Sequence, residues 1–151
     1  VTSDALFVTL DPIIRRVRLI DGRHILLSDT VGFIDRLPHQ LVAAFHATLE
    51  EVAGADLLLH VIDGSAVDIE RREEAVITVL KEVDALDVPR LDVVNKVDLL
   101  EPDALEHLAK MRPDAVFISA AKRKGQGALL EAIGERLDLT LPRWRKQAAH
   151  A

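Results

Sequence analysis

Residues 55 to 63, ADLLLHVID, are apolar almost without interruption, and a second apolar run, Leu91 to Val94, follows after an intervening helical stretch. A strand with one wet face alternates apolar and polar side chains. A run without that alternation belongs to a strand covered on both faces. Between the two runs, Ile69, Val76, Val79, Leu80 and Val83 recur at helical spacing, with Asp68 placed to cap that helix. The alternation continues with a helix near 103–110, a short strand AVFIS at 115–119, and a helix at about 127–137 presenting Leu129, Leu130, Ile133 and Leu137. Strands alternating with helices predict an α/β fold with a doubly wound, mostly parallel sheet. Upstream, RVRLI (16–20) and HILLS (24–28) flank Asp21-Gly22, which predicts a hairpin forming an antiparallel edge. Leu41, Val42, Phe45, Leu49 and Val52 predict a further helix over 39–53, with Pro38 suited to its first turn.

Composition narrows what such a fold can do. The 151 residues are 49% hydrophobic and 29% charged, a globular balance in a chain long enough for one core. With no cysteine, disulfides, thiolate metal sites and cysteine nucleophiles are excluded. That usage sits easily with the cytoplasm. No apolar run approaches the roughly 18 residues of a membrane helix, and VTSDALFVTL lacks a secretory pattern. The missing initiator methionine reads as a start within a longer protein. A net charge of −6 argues against broad attraction to nucleic acid, and no DNA binding is expected. The clusters Arg15/Arg16/Arg18, Lys122/Arg123/Lys124 and Arg143/Arg145/Lys146 read as solvated faces. The six histidines show no metal spacing and read as structural or surface residues.

In a sheet of this type ligands sit beyond the carboxyl ends of the strands, where the loops converge. Four polar segments fall there: SDTVG (28–32), DGS (63–65), NKVD (95–98) and SAAK (119–122). The Asn-Lys-x-Asp segment is the most specific of them. A carboxylate such as Asp98 accepts two parallel N–H bonds, the geometry of guanine's N1–H and exocyclic amine. Adenine lacks that donor pair and would leave the carboxylate unpaired, a penalty of about 1–3 kcal/mol. The aliphatic stem of Lys96 can cover a ring face, Asn95 can brace neighbouring loops, and a backbone N–H near Ala120 can meet guanine's carbonyl oxygen.

DTVG, NKVD and SA in this order resemble the later motifs of P-loop GTPases. LFVTLDP with the following RR, and then DTVGFIDRLPHQLVAAFHATLEEV, closely resemble the HflX family of ribosome-associated GTPases, over about Ala5 to Leu137. The resemblance implies GTP or GDP as ligand, Mg²⁺ as cofactor and the large ribosomal subunit as a partner of the parent protein. It implies nucleotide contacts at Phe7, Val8, Thr9, Leu10 and Asp11, at Asp29, Thr30, Val31 and Gly32, at Asn95, Lys96, Val97 and Asp98, and at Ser119, Ala120 and Ala121. Thr9 and Asp29 would serve the metal, and the Gly32 N–H the γ-phosphate. Phe33 stands where many GTPases place a water-positioning glutamine, which implies slow, partner-dependent hydrolysis. Ile13-Ile14 depart from the two threonines usual after LDP. No Gly-x-x-x-x-Gly-Lys-Ser/Thr phosphate loop occurs in the 151 residues. Residues 1–138 are thus expected to be a GTPase domain lacking its first strand, P-loop and first helix, inactive alone, and 139–151 a tail. The alternative is a non-catalytic binding module derived from a GTPase.

Overall fold

The structure, a computed structural model, describes residues 13–29 and 52–140. The first element pair is an antiparallel hairpin, β1 (Ile13–Arg18) and β2 (His24–Asp29), in register from Ile13 opposite Asp29 to Arg18 opposite His24. The first strand lies further from the turn than 16–20 predicts, whereas the second starts at 24 as expected and runs one residue beyond 28. The connection takes five residues, 19–23, closed by the Leu19 N–H donating to the Arg23 carbonyl at 2.7 Å. Gly22 turns the chain there at φ +92°, a region that side-chain-bearing residues avoid. Leu19, freed from the strand, is 3% exposed and joins the core.

The parallel sheet has the order β3 (Leu58–Asp63), β4 (Arg90–Asn95), β5 (Val116–Phe117). The helices between and after these strands are α1 (Ile69–Glu82), α2 (Pro102–Met111) and α3 (Gln126–Thr140). Alternation along the central strand shows how both faces are covered. Leu91 and Val93 pack with Ile118, Ile133 and Leu137 on the α3 side, where Leu19 and Ile25 of the hairpin also insert. Val94 packs on the opposite side with Ile62, Ile69 and Leu108, beneath α1 and α2. A third cluster, Val52, Leu80, Val83 and Ala85, closes the far end of α1.

Several expectations change in detail. Among the described residues the hairpin and the parallel strands form two separate sheets, with no ladder between β2 and β3. The run at 55–63 contributes a six-residue strand that is only half-buried, and Val61 is 60% exposed. The reason is position: β4 is flanked on both sides, whereas β3 pairs along one edge among the described residues. Asp68 occupies the N-cap position of α1 without bonding a helix N–H. Its carboxylate instead takes Arg71 at 2.6 Å and Arg72 at 2.8 Å. β5 shrinks to two residues of regular strand; the Ile118 N–H still donates to the Val94 carbonyl at 2.8 Å, and Ser119 then pairs with Lys124 instead of β4. α3 runs on to Thr140, into the stretch read as a tail. Of the helix expected at 39–53, only Val52 and Ala53 fall within the described residues.

Candidate nucleotide-base site

The parallel register brings the polar strand ends together. Asp63 lies opposite Asn95 across β3 and β4, so both chains leave the sheet at the same level. Gly64 then passes so close to β4 that its N–H donates to the Asn95 carbonyl at 2.9 Å. A Cβ there would meet Val94 Cγ1 at 2.8 Å and the Asn95 carbonyl oxygen at 3.0 Å, so only glycine fits. After β4, Lys96 adopts a left-handed conformation, φ 65°, and a single 3₁₀ turn covers Val97 to Leu99. That reversal points Lys96 and Asp98 out of the sheet end rather than along it, and both are exposed.

The loop after β5 closes against this turn. Asn95 Oδ1 accepts the Ala120 N–H at 3.0 Å, tying the two loops together. The Ser119 hydroxyl, completely buried, donates to Asp98 Oδ1 at 2.7 Å and accepts the Lys122 N–H at 3.1 Å. Paired bonds between the Ser119 and Lys124 backbones, at 3.0 and 2.9 Å, turn the chain back on itself. Ala121 lies exposed on that loop, and Val97 is half-buried with its N–H donating to the Ile118 carbonyl at 3.3 Å. Asp98 thereby presents a carboxylate fixed by one hydroxyl, leaving its second oxygen and further lone pairs open to a ligand. The Ala120 N–H, expected to meet a base carbonyl, is engaged by Asn95 in this structure, so a ligand must share that donor.

Asp63 is a site residue that sequence reasoning did not assign. Lys96 Nζ donates to Asp63 Oδ2 at 3.1 Å, and Asp63 Oδ1 accepts from the Ser65 N–H at 3.0 Å and the Ser65 hydroxyl at 2.6 Å. The Ser65 hydroxyl is the main influence holding the Asp63 carboxyl below the usual carboxylate range, with partial burial opposing it and Lys96 reinforcing it. The signal was a polar Asp-Gly-Ser at a strand end, but nothing in the segment indicates which cation it faces.

Asp29 closes β2, exposed, opposite Ile13. Phe7, Val8, Thr9, Leu10, Asp11, Thr30, Val31, Gly32 and Phe33 lie outside the described residues. A second polar cluster sits on the α1/α2 side of the sheet. His60 Nδ1 lies 3.1 Å from Asp92 Oδ1, and Arg112 reaches both Asp92, at 3.4 Å, and Glu73. Ligand atoms of His60, Glu73 and Asp92 lie within 4.8 Å of one another, but the Arg112 guanidinium already supplies the cation between the two carboxylates. The cluster reads as a half-buried ion network, and the cleft of about 390 Å³ beside it is separate from the base loops. No helix among the described residues is long and apolar enough to cross a membrane.

Comparison with known proteins bears on the family of the chain. A family model described as 50S ribosome-binding GTPase matches residues 1–96. The GTPase HflX of Escherichia coli (strain K12) is 47% identical over 137 residues, covering 89% of this chain and 32% of that protein. The GTPase HflX of Magnetococcus marinus is 50% identical over 131 residues, covering 87% of this chain and 30% of that protein. The crystal structure of a complex of SsGBP with GDP superposes with a TM-score of 0.67 at 29% identity, over 86% of this chain and 44% of that one. The chain therefore spans about a third of the length of the curated relatives it matches. On the family match, the HflX relatives and the shared doubly wound fold, the chain belongs to the 50S ribosome-binding GTPase family, in its HflX branch.

Proposed function

We infer that this chain supplies the guanine-reading half of a GTPase that binds GTP and GDP and acts on the large ribosomal subunit in the cytoplasm. One observation carries the reading: the Asp98 carboxylate, held by the buried Ser119 hydroxyl at 2.7 Å, stands exposed at the end of β4. An oriented carboxylate accepts guanine's adjacent N–H donors in parallel, with the Lys96 stem beside it to cover the ring. Hydrolysis belongs to the complete protein, and Phe33 implies that it is slow without a partner. Asp29, an exposed carboxylate at the end of a strand, offers the hard oxygen donor that Mg²⁺ takes, and Thr9 would be its companion. The metal would neutralise phosphate charge there.

The test is Asp98→Asn in the complete protein that carries this chain. The amide turns an acceptor into a donor, so GTP affinity falls by about 10²-fold while xanthosine triphosphate, with a carbonyl in place of the amine, gains relative to it. Competition binding with the two nucleotides measures the exchange. An unchanged preference for GTP would remove Asp98 from the base site.

A further inference from the structure

We propose that Asp63 is a positioning residue for the guanine site, acting through Lys96; the assignment rests on the base-reading function above. Lys96 is the least constrained member of that site by composition. It carries four rotatable side-chain bonds, and its side chain is 51% exposed. A flexible stem covers a planar ring poorly unless something fixes its far end. Asp63 does so at 3.1 Å, from the neighbouring strand end rather than from the turn that bears Lys96.

The geometry around Asp63 is built for that purpose rather than left to chance. Its Oδ1 is occupied twice by Ser65, through the backbone N–H and the hydroxyl, which directs Oδ2 at the ammonium. The backbone beneath is fixed as well. The Gly64 N–H donates to the Asn95 carbonyl, and the missing Cβ at Gly64 lets β3 and β4 leave the sheet in contact. Asp63 and Asn95 share one level of the register, so a single rigid unit joins the DGS loop to the base-reading turn. An exposed ion pair of this kind contributes little in water. Once a base covers the lysine stem and displaces water, the same pair strengthens and holds the stem flat. No contact between Asp63 and the base is required. Its effect reaches the nucleotide only through the lysine.

Coupling is the test that distinguishes positioning from general support. In the complete protein, Asp63→Ala should raise the dissociation constant for GDP by about three- to tenfold, chiefly through faster release. Asp63→Asn keeps an acceptor for Ser65 but turns an N–H toward the ammonium, so it should behave like Asp63→Ala while preserving the loop. That second variant decides the matter should the alanine variant fold poorly. Combined with Lys96→Ala, either substitution should add less than about twofold, because the partner it acts on is gone. Additive effects, or GDP affinity unchanged by Asp63→Asn, would overturn the assignment. The two readings fail differently. If Lys96→Ala and Asp98→Asn both leave GDP binding intact, the guanine site itself is wrong; if they weaken it and the Asp63 variants do not couple, only the role of Asp63 falls.

Discussion

Asp92 shows how single residues on the sheet respond to neighbours that are distant in sequence. Its hydrogen bond with His60 is the largest influence holding the carboxyl below its usual range, opposed by burial and reinforced by the charges of His60, Arg112 and Arg90. A carboxylate with a depressed folded pKa stabilises the fold fully above its unfolded value of about 3.9, and that contribution is lost as pH falls through the folded value. Asp92→Asn should therefore destabilise the domain by about 1–2 kcal/mol at pH 7, a figure reduced for its partial exposure. The difference from the parent should begin to shrink below about pH 4, where the unfolded chain protonates at this position, and should vanish as pH falls through the depressed folded value. Urea unfolding at a series of pH values from 7 to 3 tests it. Two stability curves that stay parallel through that range would mean that Asp92 is not the titrating group. At this scale the base site was partly legible: Asn95, Lys96 and Asp98 are contiguous, so the pattern survives in one dimension. Asp63 and Ser119 were harder to place because their partners are 33 and 21 residues away.

At the scale of elements, one buried arginine adds polar links between the hairpin turn and α3, beside the apolar contacts of Leu19 and Ile25. Arg23 is 5% exposed, and its Nε donates to Asp21 at 2.8 Å, its Nη1 to Asp138 at 2.7 Å, and its Nη2 to the Gly134 carbonyl at 3.3 Å. The two aspartates are about half exposed, so removing the arginine does not strand them in the core. Arg23→Ala should accordingly cost about 1–3 kcal/mol, less than breaking a fully buried pair. The loss should be local. Hydrogen exchange should accelerate across β1 and β2 while the β4 amides keep their protection. Uniform acceleration over the whole domain would show that the hairpin and the parallel sheet unfold as one unit. Helix spacing anticipated α1, α2 and α3 to within a few residues, because a 3.6-residue period is a local property. The burial of β3 was not local, and Val61 is exposed in spite of its apolar surroundings in sequence.

For the whole molecule, the distribution of ligand-binding groups sets the expected behaviour of residues 1–151 on their own. The role proposed for the described loops is to read a base, and the 151 residues contain no Gly-x-x-x-x-Gly-Lys-Ser/Thr loop to cradle phosphates. Most of a nucleotide's charge would then go unmatched. The isolated chain should show no GTP binding at micromolar nucleotide by calorimetry. Val61, Leu26 and Ile14 are each more than half exposed, and apolar side chains on strands favour association. Sizing chromatography should give oligomers or aggregates. A monodisperse monomer with micromolar GTP affinity would require another segment to serve as the phosphate cradle.

The sequence by itself determined the alternation of strands and helices, the hairpin, and the Asn-Lys-x-Asp turn at the end of a central strand. Each of these depends on spacing between near neighbours, which a chain carries whether folded or not. Only the tertiary structure decided that Asp63 faces Lys96, that Ser119 lies buried beneath Asp98, and that Arg23 joins the hairpin to α3. Those contacts follow from the parallel register of β3 with β4 and from the packing of α3 against both sheets. Long-range register is set by the simultaneous burial of many apolar side chains, so no single segment contains the information that places one polar group opposite another.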